Sequence, residues 1–371
     1  MIENAPGPAA VVRYGVVGRG YRAGLFLRLA ELLPDQFQVT GVATRDEAGS
    51  AEVTARWDVP AVTGVRGLLA LERPDVVVTA VSWEANPEVV LQLVQAGVPV
   101  LSETPPAADL PTLRRLWSVL GADSPVQVAE QYPFQPMNAA RLALVRDGVL
   151  GAPTSAHISM TQTYHAVSLL RAALGVGGEE AQVRAVAFAS PLVSPWSRAG
   201  WTGDTTRHDL TTTLASVDFG GRVGVYDFTE TQTRNPLRTS RFVVRGSHGE
   251  LVDEQVVRLR DQVTVTESPL VRRQWGQHRD FEVPDLDTIS FEGSVVYRNP
   301  FTGGRLSDEE VAMATILERT ARWGRGDGAA PYPLAAAAQD HLLALAIERA
   351  IRSGATVPVP REPWASALEP R

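Results

Sequence analysis

The chain has 371 residues, enough for two domains or one large one. Its composition is that of a globular protein, 44% hydrophobic and 21% charged, and no apolar run approaches the roughly 18 residues of a membrane span, which excludes an integral membrane protein. The net charge is −7 with no basic block, which argues against a nucleic-acid partner.

Residues 1–10 show neither a basic nor an apolar region of a signal peptide, so the expected location is the cytoplasm. Residues 11–17 form a short apolar run that ends in glycines. Residues 23–33 follow with apolar positions at helical spacing. A second strand is predicted over 38–44 and a polar helix over 47–56. Residues 76–81 are almost wholly apolar, as in a buried parallel strand. Helix 87–95, strand 98–101, helix 110–120 and strand 126–129 complete the alternation. This order predicts an N-terminal Rossmann domain, a doubly wound parallel sheet, over residues 1–130.

The pattern then changes. Helices are predicted over 138–146 and 166–174, with a strand over 156–163 between them. Strands dominate from about 182 to 300, among them 183–189, 214–219, 223–229 and 241–244. Gly246-Ser247-His248-Gly249 reads as a hairpin turn. The polar, arginine-rich stretch 266–285 reads as a loop or excursion. Amphipathic helices over 308–322 and 334–352 end the chain. Residues 131–371 are therefore expected to form an α+β domain on an open, mainly antiparallel sheet.

The strongest local signal is Gly15-Val-Val-Gly18-Arg19-Gly20-Tyr21-Arg22-Ala23, which holds GxGxxA between a strand and a helix. Gly18 permits the tight turn. Gly20 lets a pyrophosphate approach the backbone, where the helix N-terminus presents N–H groups and positive dipole. The end of the second strand distinguishes the cofactors. An acid there would hold the ribose 2′-hydroxyl of NAD, whereas this chain has Thr44-Arg45, and a guanidinium suits the 2′-phosphate of NADP. The other possibility is that Arg45 stacks on adenine or lies in solvent while Asp46 serves NAD. NADP(H) is the preferred reading and NAD(H) the alternative.

With these motifs the chain resembles the Gfo/Idh/MocA oxidoreductases (glucose–fructose oxidoreductase, inositol dehydrogenase and relatives). Further support comes from Ala96-Gly97-Val-Pro-Val-Leu-Ser-Glu103-Thr104-Pro105, similar to the family's "AGKHVLxEKP". Tyr164-His165-Ala-Val-Ser-Leu-Leu-Arg-Ala-Ala-Leu-Gly175 is similar to its "GxHxxDLLRWLLG" helix, and the segment from Tyr332 to Asp340 to its "xPLxxAxxD". The resemblance spans nearly the whole chain. It implies a redox site at the junction of the two domains and homodimers or homotetramers through the second sheet. It also implies hydride exchange between a nicotinamide and a carbinol carbon of a sugar or cyclitol. Ser82 and Trp83 on the loop after the fourth strand, with Glu103 and Thr104, join Gly18, Arg19, Gly20, Tyr21, Arg22, Thr44 and Arg45 as expected cofactor contacts.

The chain departs from the family where chemistry is done. Thr104 stands in place of the lysine of "EKP", Thr161 in place of an aspartate four residues before the histidine, and Ser168 in place of an aspartate three after it. The loop typically "TPNxxH" reads Val81-Ser82-Trp83-Glu84-Ala85-Asn86. All 35 basic residues are arginine and there is no cysteine, so lysine and thiolate chemistry are excluded. His157, His165, His208, His248, His278 and His341 show no tight ligand spacing, so no metal site is expected. His165 remains as the acid/base for the carbinol proton. Tyr132 and Tyr164 are candidate proton donors in place of lysine. Glu130, Trp201, Arg207 and His208 are candidate contacts for substrate hydroxyls and sugar faces, and His157 reads as structural.

The expected function is an NADP(H)-dependent oxidoreductase acting on a small sugar-, cyclitol- or glycoside-like molecule, without nucleic-acid or membrane partners. A reductase of a conjugated C=C or C=N bond, a redox-neutral enzyme that oxidises, eliminates and reduces, and a non-catalytic dinucleotide-binding relative are the competing readings.

Overall fold

A computed structural model of the chain describes residues 10–276 and 284–369. Residues 1–9, on which the signal-peptide reading rests, and His278 lie outside the described residues. By internal contacts the chain divides into two compact units. The first comprises Met1–Pro136, Arg273–Thr288 and Arg298–Ala338; the second comprises Met137–Arg272, Ile289–Tyr297 and Gln339–Arg371. Two segments late in the sequence thus belong to the first unit, whereas the linear division expected at residue 130 leaves them in the second.

The first unit opens with β1 (Val12–Val17), α1 (Tyr21–Leu32), β2 (Phe37–Thr44) and α2 (Glu47–Trp57). It continues with β3 (Ala61–Thr63), α3 (Gly64–Leu71), β4 (Val76–Thr79) and α4 (Asn86–Gln95), then β5 (Val100–Ser102), α5 (Leu110–Leu120) and β6 (Val126–Val128). The strands form one parallel sheet in the order β3-β2-β1-β4-β5-β6. The order reverses direction at β1, as the Rossmann fold requires. β3 and α3 were not foreseen. A three-residue strand has no readable alternation, and α3 is only eight residues long with Val65 and Leu68 buried.

The core of this unit explains the apolar runs. Val77, Val100 and Val128 from three neighbouring strands meet Leu68, Leu93 and Leu116 from three helices, all buried. Such strands are covered on both faces and so lose polar alternation. Leu334 and Ala337 join the same cluster. The preceding segment runs along β6, where Val128 N–H donates to the Tyr332 carbonyl at 2.9 Å and Tyr332 N–H to Gln127 at 2.9 Å.

After β6 come α6 (Pro136–Arg146), β7 (Pro153–Ser159), α7 (Thr163–Leu174), β8 (Ala181–Val193), β9 (Trp196–Ser197) and β10 (Gly200–Trp201). They are followed by β11 (Arg207–Asp218), β12 (Val223–Thr229), β13 (Arg241–Gly246), β14 (Gly249–Val252), β15 (Gln255–Leu259) and β16 (Val265–Trp275). β17 (Asp285–Phe291), β18 (Ser294–Arg298), α8 (Asp308–Gly324), α9 (Leu334–Ser353) and β19 (Val357–Val359) complete the chain. Eleven of these strands form one mixed, mainly antiparallel sheet in the order β18-β17-β16-β15-β14-β13-β7-β12-β11-β8-β19. β7 pairs parallel with β12 and antiparallel with β13. The turn at 246–249 closes a hairpin in which Gly246 faces Gly249.

Two sequence expectations need correction. The first concerns the stretch 266–285, expected as a loop or excursion: residues 266–275 belong to β16 and Asp285 begins β17. In β16 only Leu270 is buried: its own face otherwise carries Thr266, Ser268, Arg272 and Gln274, while the apolar Val265, Val271 and Trp275 lie exposed on the other face, so the usual apolar alternation of a strand is missing. The second concerns the strand expected over 214–219: β11 starts at Arg207, and Arg207, His208 and Asp209 pair with Val193, Leu192 and Pro191 of β8.

α7 packs on β7 and β12, and its buried residues include Ala166, Leu169, Leu170 and Leu174. Arg171 is also buried, against the fully buried Asp340, and its guanidinium donates further to the Gly177 carbonyl at 3.0 and 3.2 Å. A charge so enclosed depends on its counter-ion. Asp340→Ala should therefore destabilise the protein by about 3–5 kcal/mol, read as a lower urea midpoint, whereas a change at the solvent-exposed Arg352–Glu348 pair should cost about 0.5 kcal/mol or less.

Candidate functional site

In the first unit the glycine-rich turn is held from both sides. Gly18 N–H donates to the Ala43 carbonyl of β2 at 2.9 Å, and Ala80 N–H, just past β4, to the Val17 carbonyl at 2.8 Å. Gly18 has φ +121°, and a Cβ there would stand 2.2 Å from the Ala80 carbonyl oxygen. No side chain fits. Gly20 differs: a Cβ there would meet nothing within 4 Å. Gly20 is the N-cap of α1, with no side-chain cap and no acid in the first turn. By contrast, α2 and α5 are capped by Asp46 and Asp109. An uncapped, acid-free helix start beside open space fits a dinucleotide pyrophosphate. Tyr21 begins α1 with its side chain largely exposed.

At the end of β2, Thr44 is buried and its hydroxyl reaches Ser50 Oγ at 2.8 Å and the Asp46 carbonyl at 2.8 Å. Asp46 is committed to α2, whose Gly49 N–H donates to its Oδ1 at 2.8 Å. Two arginines flank it. Arg45 is 94% exposed, with Nε 3.9 Å from Asp46 Oδ2. Arg19 lies against Gly49, where a Cβ would come 3.0 Å from its Nε and 3.1 Å from its Cδ, and it is ion-paired with Glu52. Neither Gly49 nor Glu52 was singled out from sequence. Their i, i+3 spacing at the start of the second helix was the signal available, since it puts both on one face.

The ends of β4 and β5 carry the remaining expected cofactor residues. Ser82 and Trp83 are exposed on the loop after β4. That loop is anchored by Asn86, which is buried. It accepts from the Thr79 hydroxyl at 2.6 Å and donates to Ser102 at 2.8 Å and to the Pro106 carbonyl at 3.1 Å. Asn86 thereby ties the two loops together. Glu103 is also buried and accepts from Thr104 N–H at 3.2 Å.

Arg22 turns away from solvent. Its Nε donates to Glu103 at 2.8 Å, and the rest of the guanidinium reaches Glu309 at 3.1 Å and Gln131 at 3.4 Å. Burial alone would lower its pKa. The carboxylate of Glu103, with Glu309 and Glu130, outweighs burial and raises it, so the charge is permanent. Glu130 is fully buried and accepts from Tyr132 N–H at 3.2 Å, at the start of a short 3₁₀ turn over Tyr132–Phe134. Tyr132 is half-buried. In this unit Glu130 thus holds a turn and adds negative charge beside Arg22.

In the second unit, His165 is half-buried in the first turn of α7. The ring of the buried Tyr164 stands edge-on to it at 5.4 Å, with the buried His341 6.2 Å from Tyr164 on another side. Ser168 donates its hydroxyl to the His165 carbonyl at 2.8 Å, a bond within the helix. Thr163 reaches the Tyr226 hydroxyl at 3.3 Å. Burial pushes that phenol up to about 12, against the lowering effect of the Thr163 bond. Thr161 is buried with no partner for its hydroxyl.

His157 lies on β7, with Nε2 2.9 Å from Asp227 Oδ2. The bond from His157, then that from Ser159 at 2.6 Å, holds the Asp227 carboxyl below its usual range. Trp201 is exposed on β10, edge-on to Trp196 at 5.3 Å. Arg207 and His208 are exposed at the start of β11, His208 3.8 Å from Asp204. The structure thus places Tyr164 and His165 together, Trp201 in the two-stranded β9–β10 sheet, and Arg207 and His208 on β11 of the large sheet. Among the described residues no group of three or more His, Asp or Glu is placed to hold a metal, and no helix is long and apolar enough to cross a membrane.

Residues 12–129 match the model of an oxidoreductase family with an NAD-binding Rossmann fold, GFO_IDH_MocA. No curated protein matches the sequence. Solved structures share the fold over nearly the full length. A levoglucosan dehydrogenase in complex with NADH and levoglucosan is 18% identical, with TM-score 0.66 over 95% of this chain and 100% of that one. A myo-inositol dehydrogenase from Corynebacterium glutamicum is 16% identical, with TM-score 0.64 over 95% and 100%. The WlbA dehydrogenase from Bordetella pertussis, in complex with NADH and UDP-GlcNAcA, is 15% identical, with TM-score 0.61 over 96% and 100%. The glycine-rich turn, the strand order and the family match define an NAD(P)-dependent oxidoreductase. Residues 12–129 are thus similar to the NAD-binding Rossmann part of the Gfo/Idh/MocA oxidoreductases.

The two glycines of the turn should separate in experiment. Gly18→Ala should cost about 2–4 kcal/mol of stability, read by urea denaturation, because it forces a backbone carbonyl to move. Gly20→Val should leave stability within about 1 kcal/mol and abolish NAD(P)H binding in a fluorescence titration.

Proposed function

We propose that the protein is an NADP(H)-dependent dehydrogenase of a sugar, cyclitol or glycoside-like substrate, with His165 as its acid/base. The observation that carries the cofactor reading is the state of Asp46. Its carboxylate caps α2 through Gly49 and is flanked by Arg19 and Arg45. A carboxylate spent on a helix cap is poorly disposed to grip a ribose diol. Two guanidinium groups at the end of β2 suit a 2′-phosphate. The NAD(H) complexes of the fold relatives show the alternative cofactor in those proteins.

The substrate reading rests on the fold relatives, whose ligands include levoglucosan and a UDP-sugar acid. The bound nicotinamide supplies or takes up hydride. His165 takes the hydroxyl proton in oxidation and returns it in reduction, a task imidazole performs near neutral pH. Tyr164 packs edge-on against that ring and fixes its orientation. Trp201, Arg207 and His208 are the exposed groups we assign to hydroxyl-rich substrate. The open face of the large sheet carries exposed Val186, Phe188 and Leu214 on the adjacent strands β8 and β11. Apolar exposure of this extent supports self-association through the sheet, as a homodimer or homotetramer. A cytoplasmic setting belongs to the same reading.

Calorimetric titration of the purified chain tests the cofactor. NADP(H) should bind more tightly than NAD(H), and Arg45→Ala should weaken NADP(H) by about tenfold while leaving NAD(H) little changed. Tighter NAD(H) binding would overturn the preference. His165→Ala should lower kcat by about 10² or more on a sugar or cyclitol substrate while cofactor affinity is retained. An active His165→Ala enzyme would remove this residue from the proton-transfer role.

A further inference from the structure

We propose that Glu52 is a cofactor-selectivity residue, whose carboxylate holds Arg19 across the first turn of α2 and competes with a 2′-phosphate for that guanidinium. This inference rests on the reading that the site at the end of β2 takes NADP(H).

The geometry begins at the turn. Arg19 stands between Gly18 and Gly20, so its backbone is fixed by the close approach of Gly18 to the Ala80 carbonyl. Its side chain crosses to α2, where Gly49 gives it room: a Cβ there would stand 3.0 and 3.1 Å from its Nε and Cδ. Glu52, three residues on and on the same helical face, then takes the guanidinium. Arg19 is thus parked beside Asp46, at the end of the second strand, where a Rossmann fold receives the adenosine ribose.

The chemistry follows from the charges. Arg19, Arg45, Asp46 and Glu52 sum to zero. A 2′-phosphate brings about two negative charges and paired acceptor oxygens, which the planar fork of a guanidinium prefers to a single carboxylate oxygen. Binding NADP(H) therefore requires Arg19 to leave Glu52, and leaves that carboxylate close to the phosphate. A 2′-hydroxyl makes no such demand, so the Arg19–Glu52 pair persists with NAD(H). Glu52 consequently penalises NADP(H) and spares NAD(H). The pair is well exposed, 47% and 61%, so the penalty is that of a solvated ion pair and is small.

The test is calorimetry of the full chain with NADP+ and NAD+ on wild type, Glu52→Gln, Arg19→Gln and the double variant. Both side chains are exposed and folding should be unaffected. Glu52→Gln should tighten NADP+ by about three- to fivefold and change NAD+ by less than about twofold. The gain should vanish in the Arg19→Gln background, since the two act through one contact. Unchanged or weaker NADP+ binding in Glu52→Gln overturns the inference even when wild type prefers NADP+. Weaker NAD+ binding in Glu52→Gln also overturns it, because Glu52 would then be holding ribose directly. A wild-type preference for NAD+ overturns the cofactor reading instead. In that case tighter NADP+ binding by Glu52→Gln, lost with Arg19→Gln, still supports the role of Glu52, and no change removes both.

Discussion

The approach of the Gly18 backbone to the Ala80 carbonyl governs the geometry of the Rossmann unit. With Gly18 hydrogen-bonded to β2 and Ala80 to β1, the turn is wedged between the two neighbours of the first strand. That fixes where α1 begins and where the Arg19 side chain leaves the backbone. It also fixes the start of the loop that carries Ser82 and Trp83. A shift of this turn by the width of a methyl group would move all three. The left-handed φ of Gly18 is the backbone conformation this wedge requires, and only glycine adopts it without strain.

Three arginines near the turn are held in three different ways, and the differences sort their roles. Arg22 is enclosed by Glu103, Glu309 and Gln131, and its charge holds the start of α1 to the loop after β5 and to α8. An incoming anion would have to displace the buried Glu103 and Gln131 to reach it. Arg19 is tethered by one exposed carboxylate. Arg45 is 94% exposed, with Asp46 at 3.9 Å. Availability to an anion rises in that order, from a buried group with raised pKa to a solvated one. Sequence alone places all three in a cofactor motif and cannot rank them, because the ranking depends on acids 33 to 287 positions away.

The legible parts of the fold were those where local and long-range demands agree. Val76 to Thr79 reads as a buried strand because it is apolar on both faces, and the structure covers both. Residues 110–120 read as a helix, and the structure bounds it there, with Asp109 as N-cap, a proline in the first turn and Gly121 at the end. The illegible parts lack that agreement. β16 has one buried side chain in eleven residues, and its place is set by pairing with β15 rather than by its own alternation. β11 begins at Arg207, in a polar run ahead of the strand expected from 214, because Val193 and Leu192 of β8 continue the ladder there. The catalytic candidates were legible only as residue types. The edge-on packing of Tyr164 on His165, and the commitment of Asp46 to a helix cap, are contacts that no spacing rule reveals.

A chain without lysine or cysteine has few groups that change charge near neutral pH, and the surroundings of its histidines narrow them further. His157 is committed to Asp227, whose carboxyl that bond holds below its usual range. His248 bonds its neighbour Ser247 in the hairpin turn. His341 is buried against Tyr164. His208 is exposed beside Asp204 at 3.8 Å, with no enclosure to orient it. His165 alone of the described histidines combines partial exposure, a helix first turn and an aromatic wall on its ring. A proton-transfer group needs access to the substrate and a fixed orientation at once, and partial burial on a rigid element supplies both. The same helix buries Arg171 against Asp340, so the element that presents His165 is anchored at its other end by the most enclosed ion pair of its unit.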